Sequence, residues 1–416
     1  MNLSFTRRTA VALCLTGGVL AGLHAPSAEA VVQEVRALFK PDPANPMLNK
    51  FVNTTPPSGL CTTHMANRCN ELGIFSLRVP GLTFETDREV LADHADPRQG
   101  IMFSLPTNWR DVEVVDSAGD RETVQVRIAG IGGSWNMSWP PGLNGWARGG
   151  ISGPNNWRYP PAPCASAGFL INGNAFAQFF WLMPEGIGAC AITPSLSFDN
   201  FRYSGFDYVY ELRTPNPLTM RTGQYRGSLV YSIGKGMDFD MGDVLIPSVD
   251  SLTLNFTLDV MHALKVEVPP GGNKIELLPQ GGWQAWLNQG RKPTRLFRDQ
   301  NFNVSSSSRF KMQLECQYVI GNTCALSEAD SADLVPLNTS VSLPNGLTDA
   351  AGQTVQRRPL LLDGSGTELF QPGFYIDRKP GTLHFEITRE HVETMLREGV
   401  GKTYTGNVTV IWDSEI

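Results

Sequence analysis

Charge is scarce in this sequence. Asp, Glu, Lys and Arg make up 18% of 416 residues, and the formal net charge is −6. No basic stripe is present to neutralise phosphates, which argues against nucleic-acid binding. Long helical periodicity is almost absent, while Gly (41) and Pro (29) are abundant, an all-β composition with many turns. Catalytic signatures are missing too: there is no G-x-S-x-G elbow, no H-E-x-x-H and no Walker loop. The histidines beyond residue 30 (His64, His94, His262, His384, His391) are scattered singly, without an i, i+4 pair to hold a metal. These absences predict a non-enzyme with no metal and no cofactor. Carboxylates distant in sequence can still meet in space, so glycoside hydrolysis stays open at this level.

Long apolar runs are confined to the N-terminus. Arg7 and Arg8 precede a largely apolar Thr9–Gly22, and Ala28-Glu29-Ala30 reads as a cleavage site, so residues 1–30 are expected to be a signal peptide. Its loss would remove Arg7, Arg8 and Glu29 and leave a charge of about −7. No later run approaches the ~18 apolar residues of a membrane span. Export through the periplasm to the cell surface is the expected route. Cys14 would leave with the signal. The six remaining cysteines cluster as Cys61/Cys69, Cys164/Cys190 and Cys316/Cys324, a grouping that favours three local disulfides, although six cysteines allow fifteen pairings.

The clearest pattern is Leu252–Val268, LTLNFTLDVMHALKVEV, in which apolar and polar residues alternate with one stumble at Met261-His262-Ala263. Alternation predicts a strand with one buried and one wet face. Seventeen residues would extend about 56 Å, longer than usual strands. Two strands meeting at a three-residue joint are therefore expected, with a β-sandwich at roughly 31–260, a linker at 261–263 and a second sandwich at 264–416.

Elsewhere, alternation predicts strands at Ile74–Val79, Thr123–Ile128, Phe169–Ile171, Ala175–Met183, Tyr208–Leu212, Leu229–Ile233, Lys274–Leu278, Trp283–Leu287, Arg309–Cys316, Thr382–Thr388 and Asn407–Trp412. Val31–Pro57 reads as a partly extended lead-in, and Asn303–Ser308 as a Ser-rich loop. One helix is predicted, at Glu390–Glu398. Asp238–Asp243 resembles a calcium loop, but its twelfth position is Val249 rather than Glu, so a solvated turn is expected.

Gly132–Cys164 holds four of the nine tryptophans among Gly, Pro, Asn and Ser, with no period of 2 or 3.6. Trp135, Trp139, Trp146 and Trp157, with Arg148 and Arg158, could form a sugar-stacking surface. The alternative is that the rings plug the open end of a sandwich.

YRGSLVYSIG (225–234), LTLNFTLDV with its short joint (252–263), NVSSSSRFKMQL (303–314) and the closing YTGNVTVIW (404–412) together resemble the class 5 chaperone–usher fimbrial tip adhesins and minor pilins, the CfaE-like and CblD-like family. The first two cysteine pairs also sit where that family places bridges. The resemblance implies two tandem immunoglobulin-like β-sandwiches, the C-terminal one an incomplete pilin domain that accepts a donor strand. It implies a tip adhesin that initiates pilus assembly and binds a host glycan or glycoprotein through its N-terminal domain. Its expected partners are a periplasmic pilus chaperone, an outer-membrane usher and the major pilin. Val408, Val410 and Trp412 become the candidate groove-lining residues. Where some members carry an arginine pair in a receptor pocket, this chain has Gly234-Lys235-Gly236, which makes Lys235 a candidate receptor contact. The rival roles are a tip initiator without receptor affinity and a freely secreted carbohydrate-binding or carbohydrate-active protein.

Overall fold

The computed structural model describes residues 30–138, 155–173, 175–396 and 402–414, so the expected signal peptide lies outside the described residues. The chain is all-β, with short helices between strands. Strands β1 (Ala30–Phe39), β2 (Arg110–Val115), β3 (Arg121–Asn136), β4 (Phe176–Leu182), β5 (Arg202–Arg213), β6 (Gly223–Ser232) and β7 (Ser251–Val260) belong to one large curled sheet. Its order runs β5-β3-β2-β6-β7-β1, and β4 also pairs with β3. The alternation expected in β7 is present: Leu252, Leu254, Phe256, Leu258 and Val260 are buried, and the residues between them face outward. Burying each such side chain favours folding by roughly 1.5–3 kcal/mol.

β1 corrects the expected lead-in. It runs parallel to β7 from Ala30↔Ser251 to Phe39↔Val260. Its inward positions are Val31, Gln33, Val35, Ala37 and Phe39, so a polar Gln and a small Ala weaken the signal. Gln33 is satisfied inside by the Tyr208 hydroxyl, 2.6 Å away, and by the Arg78 carbonyl, which accepts from its amide.

A second set of strands begins just past Val260. It contains β8 (Leu264–Glu267), β9 (Leu296–Ser306), β10 (Lys311–Cys316), β11 (Thr323–Glu328), β12 (Leu334–Ser342), β13 (Ile376–Ile387) and β14 (Val408–Asp413). One sheet is ordered β8-β9-β13-β12-β11, and β10 pairs with β14 apart from it. Two main hydrophobic cores result. One gathers residues from Val35 to Val260, the other from Leu296 to Val392.

Several local expectations fail for identifiable reasons. Trp283–Leu287 is not a strand; Gln284–Gln289 is a helix closed by Gly290 at φ 65°. Lys274–Leu278 forms no strand and keeps only the isolated bridge Leu278↔Phe297. Ile74–Val79 shrinks to a two-residue strand, Leu77–Arg78. The Cys61/Cys69 loop is two short helices, Leu60–Thr63 and Ala66–Leu72, packed on Phe180 and Val209. The Ser-rich loop is largely strand: Ser305 through Ser308 are all buried, and β9 runs to Ser306. Their polarity is absorbed locally, with Ser305 Oγ accepting from Arg378 N–H and Ser306 Oγ donating to Ser308 O. The helix near 390 is present as Arg389–Met395.

All three cysteine pairs are bridged in the order expected: Cys61–Cys69, Cys164–Cys190 and Cys316–Cys324.

Candidate interaction sites

Met261-His262-Ala263 is bound on both sides rather than hanging free. Met261 N–H donates to Phe39 O at 2.9 Å, tying the joint to the end of β1. His262 Nε2 lies 2.9 Å from the Met220 carbonyl, so that nitrogen donates, and Nδ1 lies 3.2 Å from Ser307 Oγ. Ser307 Oγ accepts from Ala263 N–H at 2.9 Å, and Ser307 N–H donates to Ala263 O at 2.9 Å. The imidazole meets the Phe39 ring edge-on at 5.4 Å. Tyr375 N–H adds a contact to Pro46 O at 3.2 Å. Burial pushes the His262 pKa below its ordinary value, and the charge on Arg309 pushes it the same way.

At β14, pairing runs Met312↔Trp412, Leu314↔Val410 and Cys316↔Val408. Met312 and Leu314 are buried, but Val408, Val410 and Trp412 opposite them are only half-buried. Trp412 packs on Phe302 and Phe310 at ring separations of 5.1 and 5.6 Å. The far edge of β14 has no strand partner among the described residues. A cavity of about 190 Å³ opens beside Val408, walled by Ile275, Leu277, Leu326, Leu337 and Phe385. A row of half-covered apolar side chains beside unpaired backbone can take up an added strand.

The sugar-platform expectation needs correcting where it can be seen. Trp135 and Trp157 are 2% and 0% exposed. Their rings lie 5.2 Å apart, and Trp157 also packs on Phe179 and Trp181 at 4.7 and 5.4 Å. Trp157 O accepts from Trp181 Nε1 at 2.7 Å. Neither ring offers a face to a ligand: both fill the core. Arg158 is partly exposed at the edge of this cluster. Trp139, Trp146 and Arg148 lie outside the described residues.

Lys235 is exposed in its turn and pairs with Asp243 at 3.3 Å. The same carboxylate receives Arg98 at 2.8 Å, and Arg98 also meets Asp240 at 2.7 Å. These aspartates raise the Arg98 pKa above its ordinary value, and Arg98 with Lys235 lowers that of Asp243. The expected solvated turn is therefore an anchored one, because Phe239, Asp240 and Met241 are buried. Sequence reasoning missed Arg98: its partners lie about 140 residues away, and nothing local marks them. It also missed Asp207. That carboxylate is fully buried and accepts from Arg78 Nε and from Leu60 N–H, both at 2.7 Å. Burial pushes the Asp207 pKa up against those two donors, while Asp207 raises that of Arg78. No group of three His, Cys, Asp or Glu residues suited to a metal occurs among the described residues.

No protein-family model and no curated protein matches the chain. Solved structures do match it. One is a chaperone–tip adhesin complex of CFA/I fimbriae biogenesis, 10% identical, covering 93% of this chain and 97% of its own, with a TM-score of 0.22. Another is a mutant of the enterotoxigenic E. coli CFA/I adhesin CfaE, 10% identical, with 93% and 95% covered and a TM-score of 0.25. A third is the CsuC–CsuE chaperone–tip subunit pre-assembly complex from archaic chaperone–usher Csu pili of Acinetobacter baumannii, 9% identical, with 93% and 98% covered and a TM-score of 0.21. All three contain the adhesin or tip subunit of a fimbria or pilus.

Proposed function

We propose that the chain is a fimbrial tip adhesin and assembly initiator of the chaperone–usher type. Residues 31–260 would form the receptor-binding domain, 261–263 the linker and 264–416 a pilin domain that accepts a donor strand. One observation carries this reading: among the described residues β14 has a strand partner on one side only, and its inward residues Val408, Val410 and Trp412 lie half-covered against the second core. A pilus chaperone would occupy that edge in the periplasm, and the next pilin would replace it at an outer-membrane usher. The role needs no catalytic group. Host attachment, to a glycan or glycoprotein, would fall to the N-terminal sheet at the cell surface. The buried Trp135 and Trp157 cannot supply that contact.

A synthetic peptide of alternating apolar residues tests the groove. At about 100 times its Kd it should stabilise the chain by about 2.7 kcal/mol, and the melting temperature should rise. Trp412→Ser should weaken the peptide effect and leave the N-terminal sheet folded. If residues 264–416 fold stably alone and the peptide changes nothing, the incomplete-sandwich reading is wrong. Adherence of a 31–260 fragment to host cells tests the other half.

A further inference from the structure

Strand β7 buries one face and turns the other to solvent. On that outer face the register aligns side chains from three strands. Glu34, Asn255 and Ser228 share one rung, and Arg36, Thr257 and Arg226 share the next. Asp259 and Gln224 follow on a third. They line a concavity of about 700 Å³, floored by Phe256 and Gly227.

The hydrogen bonds here leave a specific remainder. The carboxylates take amide donors: Asn255 Nδ2 donates to Glu34 at 3.2 Å and Gln224 Nε2 donates to Asp259 at 2.7 Å. Arg226 donates to Gln224 Oε1 at 2.6 Å. Among the described residues neither Arg36 nor Arg226 has a carboxylate partner, although acidic residues stand one rung away. Exposed arginines elsewhere on this sheet behave differently. Arg121 pairs with Glu113 and Arg202 with Glu85.

Arg36 and Arg226 are two strand spacings apart, about 10 Å. Their long side chains can close on one acidic group held above Thr257. Guanidinium groups suit carboxylate and sulfate because their donors match paired oxygens. The flanking amides, hydroxyls and carboxylates offer donors and acceptors in alternation, which suits a row of sugar hydroxyls. We propose that this face binds a carboxylated or sulfated saccharide, with its acid group between Arg36 and Arg226 and its hydroxyls on Ser228, Asn255 and Thr257. The inference rests on the adhesin reading and assigns that reading a surface.

The test uses the full chain with hyaluronan, heparin and neutral dextran as probes in a titration assay. An acidic probe should bind, weaken as salt is raised, and resist competition by dextran. Arg36→Gln and Arg226→Gln should each cost about tenfold in affinity or more. Arg121→Gln, placed away from the concavity, should cost nothing, and all three variants should melt like the parent. Absence of binding to both acidic probes, equal competition by dextran, or full affinity in the double variant would each overturn the proposal. Whole-cell adherence separates the two readings. A double variant that adheres like the parent eliminates this face and leaves the adhesin role standing. A parent chain that does not adhere removes the adhesin role itself.

Discussion

Replacing His262 with Ala should uncouple the two sheets without unfolding either. The substitution removes the bond to Met220 O, the bond to Ser307 Oγ and the ring contact with Phe39. Each hydrogen bond contributes about 0.5–1.5 kcal/mol net, and an aromatic contact about as much. The coupling lost is therefore about 2–4 kcal/mol, on the order of a hundredfold in the equilibrium between docked and undocked arrangements. Spin labels at the exposed positions Val230 and Val319, one on each side of the joint, would report it as a broadened distance distribution. Acidity should act on the same bonds. Because burial lowers the His262 pKa below 6.5, the folded state binds this proton less readily than the unfolded chain. Its contribution is fully present above about pH 6.5 and is lost as pH falls through the depressed folded value. The parent protein should loosen as pH falls from 6.5 through the depressed value of this histidine, and the His262→Ala protein should show no such trend. Identical distance distributions in parent and variant at neutral pH would refute the reasoning. A variant that keeps the parent's pH response would refute its electrostatic half.

Two further outcomes follow from the core. Trp157→Ala should cost about 3–5 kcal/mol in urea unfolding, as expected for a large ring removed from a packed interior. A variant that keeps full stability but loses receptor binding would return Trp157 to a surface role. Gly59→Ala should cost about 2 kcal/mol or more. Gly59 sits at φ +78°, and an added Cβ would lie 2.4 Å from the Asp207 carboxylate. Unchanged unfolding of that variant would mean the Arg78–Asp207–Leu60 cluster is less rigid than its distances indicate.

The most legible parts of the sequence were those in which one face is apolar throughout. Leu252 to Val260 declared both their strand and its buried side, and the three cysteine pairs followed from proximity along the chain. β1 was hidden because Gln33 and Ala37 occupy inward positions, and its partner lies about 220 residues away. The serines of 303–308 read as loop because residue type carries no trace of the backbone groups that satisfy them. Trp283 and Trp286 read as strand because aromatic residues favour sheets, while the Gly290 stop was the local clue to a helix. For the candidate sites the limit was different. Trp135 and Trp157 have the composition of a sugar platform, and only their neighbours reveal a plug. Arg36 and Arg226 sit at ordinary outward positions, and their meaning depends on three strands being in register.

The pairing of β7 also bears on how the molecule takes load. β7 is held along all ten residues by β1 on one side and β6 on the other, and both ladders reach Val260 at the joint. A pull transmitted through His262 would run along the axis of β7, whose hydrogen bonds lie across that axis to antiparallel β6 and at a slant to parallel β1. Those bonds would be sheared together instead of being peeled in succession. The strand leading into the joint is thus built as a shear clamp, able to hold its grip while the two halves are drawn apart.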